Sequence, residues 1–442
     1  MALALSLNAA VLAVVLPWLR REWRACGAVW RAALVAGLAA RLLVGWLHSV
    51  HLTYDAAYYD GLGQLLNEQL WTDPAGFLES LTGDVVRFGG QKIAYYGLSN
   101  TLFMGKVVCM LDLFSMGVTW LNGLYLSVWS FVGCWHLARA LARALPATPP
   151  GAGLVALVLW PSVAYLAVGV SKEAVLLGSG TWLAALVVVR CYGPLATRRG
   201  WRAAAWWAGV AGLAVLHVKM RYFFALPLLG ALLAVALVQA LRRQGWARAR
   251  WAQVLVLGAV LGAGTWLAPQ VSVVFHLNKF TSQMLAIYAH DLELSVGQPH
   301  FEYPNLRPTA ESLLAHTPQA VANTFTRPWL GESSERHYVA AGLENVVLLA
   351  LGALALAALV RGRGGRLPFA LAVVLLGYCL LLAALIGLST PNLGTLIRYR
   401  STMLPFWVLL LLQNDYAAAA LRRLGLGAPA GPAPAQSPGP VA

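Results

Sequence analysis

The chain has 442 residues, of which 59% are apolar and only 11% charged. A soluble domain of this composition would have to expose very large apolar patches, so an ordinary soluble globular protein is excluded. Apolar runs of about 17–25 residues recur along the chain, and this is the length that crosses hydrocarbon as a helix. Backbone groups must bond to one another where no water is present. The sequence therefore predicts an all-α polytopic membrane protein.

Eleven transmembrane spans are predicted in chain order, at about 2–18, 28–48, 116–136, 151–169, 174–190, 203–217, 222–241, 252–270, 340–360, 367–388 and 403–418. Arginines follow the first span rather than precede it, and this order favours a helix that begins outside over a signal peptide.

Two larger loops, 49–115 and 271–338, are predicted on the outer face. The first loop is expected to hold a short surface helix at Leu62–Leu70 and a segment, Tyr96–Met110, that dips into the membrane. A single membrane domain is thus expected over 1–424. The Ala/Pro/Gly-rich tail 425–442 has no periodicity and is expected to be disordered.

The formal net charge of +15 is unevenly distributed. The six loops assigned to the cytoplasm carry 18 arginines, and Glu22 and Asp415 are their only acids. This is the positive-inside pattern of membrane proteins, so we expect membrane lipids rather than nucleic acid as the partner of these charges. The five cysteines are scattered and show neither metal-type pairs nor a disulfide framework.

Several basic residues fall in the predicted outer loops, against this pattern. Guanidinium and ammonium groups match phosphate oxygens, so they favour a site for a phosphate or diphosphate at the outer membrane surface. The alternative is that these long side chains anchor helix ends by snorkelling. The main candidates are Lys172, Arg398 and Arg400, and the second candidates are Lys219, Arg221 and Arg327.

The first outer loop begins with Tyr54-Asp55-Ala56-Ala57-Tyr58-Tyr59-Asp60. A carboxylate just beyond a span can act as a general base on an acceptor hydroxyl, or can hold a divalent cation such as Mg²⁺ or Mn²⁺. In the structural alternatives, Asp55 caps a helix that begins at Ala56, and Asp60 is an ordinary solvated residue. Tyr58 either supports a substrate or belongs to an interfacial aromatic belt.

Arg41 lies inside the second span, where an ionised group is costly, so an acidic or phosphate partner is expected for it. Pro161 is expected to kink the span before the turn Ser171-Lys172-Glu173. In that turn Lys172 either faces a phosphate or is neutralised by its neighbour. Glu173 suits the positive end of the helix that follows.

Three segments together resemble the GT-C superfamily of integral-membrane glycosyltransferases, in particular its bacterial family-39-like members. They are an arginine-bearing early span with Tyr54-Asp55-x-x-Tyr58, the block Trp160-Pro161-Ser162 to Lys172-Glu173, and Gly394-Thr395-Leu396-Ile397-Arg398-Tyr399-Arg400 with Pro405. The resemblance covers the topology to about residue 420.

The resemblance implies an inverting hexosyl or pentosyl transferase in a bacterial inner membrane. It would move a sugar from a polyprenyl-phosphate donor to a lipid, glycan or protein acceptor on the outer face. Asp55 would hold the catalytic acid/base position, and the basic residues of later outer loops would bind the donor phosphate. Many members have two adjacent acids in this loop, whereas Ala56 follows Asp55 here, so metal use is left open.

Two other functions remain as alternatives to a glycosyltransferase. A polymerase or ligase of lipid-linked glycans needs the same basic outer surface. A transporter or flippase would favour charged groups near mid-membrane, and here only Arg41 is deep.

Overall fold

The computed structural model describes residues 1–95, 99–194 and 200–427. Within these residues the chain forms nineteen α-helices and one two-stranded hairpin, so its predicted helical character is confirmed. In chain order the elements are α1 (Ala2–Arg24), α2 (Ala28–Val50), α3 (Tyr54–Thr72), α4 (Pro74–Thr82), β1 (Val85–Phe88), β2 (Gln91–Ala94), α5 (Asn100–Ser115), α6 (Thr119–Ala144), α7 (Pro150–Leu154), α8 (Pro161–Leu166), α9 (Lys172–Tyr192), α10 (Trp201–Met220), α11 (Tyr222–Arg243), α12 (Arg250–Val271), α13 (Leu277–Glu293), α14 (Ala310–Thr326), α15 (Arg336–Val360), α16 (Phe369–Ser389), α17 (Leu393–Arg400), α18 (Leu404–Leu411) and α19 (Asp415–Arg423).

Eight of these helices are long and apolar enough to cross a membrane, which is the architecture of a multi-pass integral membrane protein. They are α1, α2, α9, α10, α11, α12, α15 and α16. The number rises to ten if two sharply bent pairs are each one span, α5 with α6 at 108° and α18 with α19 at 95°. The predicted count of eleven is therefore not confirmed.

The span predicted at 151–169 is not a continuous helix. A π-helical turn, Val155–Leu159, follows α7, and the helix breaks at Trp160 before α8 begins at Pro161. Proline has no N–H to donate and cannot continue the bonding of the preceding turn. The predicted kink at Pro161 is thus a full break, and α9 then runs back through the bundle as an unbroken helix.

The two predicted outer loops are folded. The short helix expected at Leu62–Leu70 is part of the longer α3. The segment expected to dip into the membrane forms α5 from Asn100 onward, and its first residues, 96–98, lie outside the described residues. Between them β1 pairs antiparallel with β2 through Gly89-Gly90. Both glycines have positive φ, 57° and 77°, as the tightest hairpin turns require. The second loop contains α13 and α14.

The core of the bundle lies where α6 packs against α9 and α2. A Cβ added at Gly133 would lie only 2.3 Å from the carbonyl oxygen of Gly178, so the two helices approach at backbone distance. Small residues allow such close packing in membranes, where van der Waals contact drives helix association. This contact fixes the position of the first turn of α9, which carries Lys172 and Glu173. Of the predicted disordered tail, residues 428–442 lie outside the described residues, whereas Leu426 lies against Gly151.

Candidate functional site

Four charged side chains from four separate parts of the chain meet where α9 begins. Arg398 Nη1 lies 2.9 Å from Asp55 Oδ2, and Arg398 Nε lies 3.8 Å from Glu173 Oε1. The same Glu173 oxygen is 3.5 Å from Arg221 Nη2. We call Asp55, Glu173, Arg221 and Arg398 the charged cluster. The structure thus brings Asp55 together with two of the predicted basic residues and with Glu173.

Helix starts position both acids of the charged cluster. Thr53, not Asp55, caps α3, because its Oγ1 accepts the N–H of Ala56. The structural alternative in which Asp55 caps this helix is therefore wrong, and its carboxylate reaches Arg398 from the first turn of α3. Ser171 caps α9 in the same way and places Glu173 in the first turn. Carboxylates are stabilised there by the helix dipole.

The two arginines come from different elements. Arg221 occupies the single-residue break between α10 and α11, and Arg398 lies on α17, whose first turn is capped by Asn392. The Arg221 guanidinium carbon lies 3.8 Å from the centroid of the Tyr399 ring, which holds it by a cation–π contact. Short helices and breaks thus bring the two guanidinium groups to one carboxylate.

Lys172 is adjacent to the charged cluster but is not neutralised by Glu173. Its Nζ donates to Asn100 Oδ1 at 2.7 Å and to Thr101 Oγ1 at 3.1 Å, at the start of α5. The ammonium also lies 4.8 Å from the centroid of the Tyr59 ring. The alternative in which Lys172 serves only to neutralise its neighbour is therefore not supported, because Lys172 joins α9 to the start of α5.

Electrostatics show that these groups act on one another. Burial alone would lower the pKa of Arg398, but the carboxylates of Glu173 and Asp55, with Tyr399, raise it above the usual arginine value. Burial raises the pKa of Tyr59, and the Asp55 and Glu173 carboxylates raise it further. Arg398 is therefore firmly cationic, and Tyr59 stays protonated beside it.

Asp291 is a further acid of this region, on α13. Burial raises its pKa, while the nearby Arg398 guanidinium opposes that rise. Its Oδ2 atom is buried without a hydrogen-bond partner among the described residues. Sequence reasoning did not select Asp291, because it lies in a loop with several other acids and no motif marks it.

The charged cluster is open on one side and closed on the other. The Asp55 and Arg398 side chains are 43% and 30% exposed, whereas Glu173 is 3% exposed. Neither Arg221 nor Arg398 donates a hydrogen bond to Glu173 Oε1. The buried Glu173 carboxylate therefore attracts Arg221 and Arg398 by its charge. The N–H groups of these two arginines stay available to other acceptors. This arrangement can accept an anion at the exposed side.

The other candidates lie apart from these contacts. Arg327 forms an ion pair with Glu332 at 3.0 Å, and Tyr58 bonds to the Tyr95 hydroxyl at 2.6 Å. Lys219 is exposed and has no close contact with the charged cluster among the described residues. A role of Arg327, Tyr58 or Lys219 in the site therefore stays a prediction.

Asp60 has a different role from the solvated one considered for it. It is buried, and its Oδ2 accepts from Gln64 Nε2 at 2.9 Å and from Thr119 Oγ1 at 2.8 Å. Thr119 is the first residue of α6. Asp60 thus ties the outer helix α3 to the bundle and faces away from Asp55, since five residues correspond to about 140° around a helix.

Arg400 is fully buried and does not point to the charged cluster. Its Nη1 donates to the carbonyls of Thr324 at 3.3 Å and Arg327 at 2.9 Å, at the end of α14. Residues 398 and 400 are two positions apart on α17 and so lie on roughly opposite faces of that helix. The expected phosphate contact of Arg400 is not supported by this geometry.

Arg41 is also fully buried, and its partners differ from the expected acid or phosphate. Nη2 donates to the carbonyl of Leu157 at 2.8 Å, and Nη1 to that of Val158 at 3.1 Å. Pro161 has no N–H for the Leu157 carbonyl, so the guanidinium replaces the missing backbone donor. Arg41 therefore stabilises the broken span rather than a substrate.

A metal ion at Asp55 stays a prediction. No group of three or more His, Cys, Asp or Glu side chains is placed to hold a metal within the ranges that the structure describes. Arg398 occupies one oxygen of Asp55, so Mg²⁺ or Mn²⁺ would have to compete with a guanidinium there.

No family model, curated protein or solved structure matches this chain.

Proposed function

We propose that this chain is a membrane glycosyltransferase that moves a sugar from a lipid-phosphate donor to an acceptor at the outer face. The single observation that carries the proposal is the contact of the exposed Asp55 carboxylate with Arg398, which is itself held by the buried Glu173. A carboxylate base beside an anchored cation is what transfer from a phosphate leaving group requires.

Arg398 and Arg221 are the groups that would bind the donor phosphate. Both guanidinium groups form ion pairs with the buried Glu173 carboxylate, so their remaining N–H groups are already positioned before a ligand binds. Charge builds up on the phosphate oxygen as the sugar leaves, and positioned cations stabilise that charge without reorganising. Lys172, at the adjoining wall, would add a further hydrogen-bond donor.

Asp55 would be released by the same event. The donor phosphate competes with the Asp55 carboxylate for Arg398 Nη1, and the more exposed Asp55 is the partner that can move. The freed carboxylate then takes the proton of the acceptor hydroxyl. The acceptor oxygen bonds to the anomeric carbon, the bond from that carbon to the phosphate oxygen breaks, and the lipid phosphate leaves with the electron pair. A single displacement of this kind inverts the anomeric configuration.

The feature that would have favoured a transporter has another explanation. Arg41, the deep charge of the second span, is bonded to two carbonyls and is not presented to a transport path. A polymerase or ligase of lipid-linked glycans would use the same charged cluster, and the length distribution of the product separates it from a single-transfer enzyme. A bacterial inner membrane is the proposed location.

The experiment is transfer by the purified chain in liposomes, with polyprenyl-phosphate-linked hexose and pentose donors tested in turn. We expect Asp55→Asn to lower the transfer rate at least 100-fold with unchanged expression and unfolding temperature, since general-base catalysis contributes about 10²–10⁴-fold. Glu68→Gln, an exposed acid on the same helix, is the matched control and should transfer normally. Normal turnover by Asp55→Asn, or movement of the lipid without a new glycosidic bond, would reject the proposal.

A further inference from the structure

A groove of about 630 Å³ lies between α1 and α2, toward the arginine-rich end of α1. Cavities of about 300–1,000 Å³ are the size that holds a small molecule or a comparable part of a larger one. One wall consists of Leu34, Val35, Leu38, Ala39 and Leu42 of α2. The other consists of Leu19, Arg20, Trp23 and Arg24 of α1. The groove is therefore apolar along its length and basic at one end.

Helical spacing places these residues on facing stripes. Val35, Leu38 and Leu42 follow one another at three- and four-residue spacing, which is one face of α2 about 10 Å long. Arg20 and Arg24 are likewise four residues apart and share one face of α1. An apolar stripe that ends at two cations matches a molecule with an apolar tail and an anionic head.

The positive charge at this end is not neutralised by the neighbouring acid. Glu22 is buried on another face of α1, where its Oε2 lies 3.0 Å from Arg139 Nε and its Oε1 is 3.8 Å from Arg21. Arg20 and Arg24 are exposed, and neither has an ion-pair partner in the part of the chain that the structure describes. Their guanidinium groups can therefore accept a phosphate.

A third arginine, Arg31, holds Trp23 at the basic end of the groove. Arg31, in the first turn of α2, donates from Nε to the carbonyl of Trp23 at 2.8 Å, and its guanidinium lies 5.5 Å from the centroid of the Trp23 ring. This contact ties the end of α1 to the start of α2 while α1 itself is mostly exposed. The basic end of the groove thus lies where the end of α1 is bonded to the start of α2.

We propose that the groove binds one anionic glycerophospholipid of the cytoplasmic leaflet. Its phosphate contacts Arg20 and Arg24, and an acyl chain lies along Val35, Leu38 and Leu42. The positive-inside distribution of arginines sets the leaflet. This site is distinct from the charged cluster and does not depend on the proposed transfer reaction.

The test is binding of phosphatidylglycerol and phosphatidylcholine to the purified full chain, followed by native mass spectrometry and by the unfolding temperature. We expect phosphatidylglycerol to bind more tightly and to raise the unfolding temperature. Each arginine near the surface contributes about a fivefold factor toward an anionic lipid, so the double variant Arg20→Ala/Arg24→Ala should weaken phosphatidylglycerol binding about thirtyfold. Arg21→Ala, which removes a charge on another face of the same helix, should not.

A second variant tests the apolar wall without changing any charge. Ala39→Trp fills the groove and should reduce the bound phosphatidylglycerol, whereas Ala40→Trp, exposed on α2 outside the groove, should leave it unchanged. Equal binding of the two lipids, or an equal loss in Arg21→Ala, overturns the proposal. So does a dimer of this chain that forms without lipid and is abolished by Ala39→Trp.

Discussion

Two pairs of arginines in this chain have opposite surroundings. Arg221 and Arg398 contact carboxylates and aromatic rings at the partly open end of the bundle. Arg41 and Arg400 are fully buried and donate to main-chain carbonyls. The comparison shows that a buried charge in a membrane protein need not face a ligand. What distinguishes the pairs is the partner, carboxylate in one and carbonyl in the other.

The buried pair shares a cause that lies in the backbone. The carbonyls of Leu157 and Thr324 each stand four residues before a proline, Pro161 and Pro328. A proline cannot donate the hydrogen bond that a continuing helix would supply, and an unpaired carbonyl in a dry interior is costly. Each guanidinium supplies the missing donor. Arg41 and Arg400 therefore belong to the folding of the bundle, and Arg221 and Arg398 to its candidate chemistry.

The largest expected effect separates two arginines on one short helix. Arg398→Ala should lower transfer about 100–1,000-fold, the usual loss when one positioned transition-state donor is removed, with little change in stability. Arg400→Ala should instead lower the unfolding temperature, because two carbonyls lose their donor. Transfer rates in liposomes and unfolding in detergent give both values. Equal effects of the two variants on both readouts would contradict the comparison.

The next prediction tests the proline explanation by a double-mutant cycle. Arg41→Leu should destabilise the protein by about 3 kcal/mol, since a buried carbonyl left unpaired costs about 1–3 kcal/mol and two are affected. In a Pro161→Ala background the new N–H can reach the Leu157 carbonyl, so the cost of Arg41→Leu should shrink by about 1 kcal/mol. Denaturant unfolding measures all four proteins. Strict additivity would remove the link between Arg41 and Pro161.

A smaller effect on catalysis is expected for Glu173, the carboxylate that lies near both Arg221 and Arg398. Glu173→Gln keeps the shape of the side chain and removes its charge, so Arg221 and Arg398 lose their common anchor. We expect kcat to fall about tenfold with a much smaller change in KM, because the interaction acts mainly through the positioned transition state. Glu332→Gln, which removes the partner of Arg327, is the control and should change neither value more than about twofold. A change confined to KM would place Glu173 outside this role.

The smallest expected effect is on the pH dependence of stability and concerns Asp60, which bonds to Gln64 and Thr119 rather than to the charged cluster. Burial raises its pKa, while its hydrogen bonds from Thr119 and Gln64 oppose that rise. A carboxyl whose pKa is higher in the folded than in the unfolded protein favours folding at low pH, and this contribution is lost as pH rises through the folded-state pKa. Asp60→Asn, which keeps an oxygen for Thr119, should flatten this decline. An unchanged pH profile of stability would show that Asp60 does not titrate in this range.

The sequence located the members of the charged cluster better than their roles. Lys172, Arg221 and Arg398 are selected because basic residues in outer loops violate the positive-inside pattern, and Asp55 because a carboxylate just beyond a span can act as a general base. In the structure Asp55, Arg221 and Arg398 meet in the charged cluster, and Lys172 lies beside it. Glu173 is predicted to suit a helix start and to support the site, and in the structure its carboxylate lies near both arginines. Asp291 could not be selected, since nothing local distinguishes it from other loop acids.

By itself, the sequence determined the helical membrane class, because hydrophobic length is a local property. The arginine distribution, also local, predicts the face on which the candidate chemistry lies. Tertiary structure decided which arginine serves which purpose. Arg398 and Arg400 look equivalent in the sequence, but two residues on a helix point to opposite sides, one toward Asp55 and the other toward the carbonyls of α14. Partners of that kind come from distant segments, and only the packing of the bundle brings them into contact.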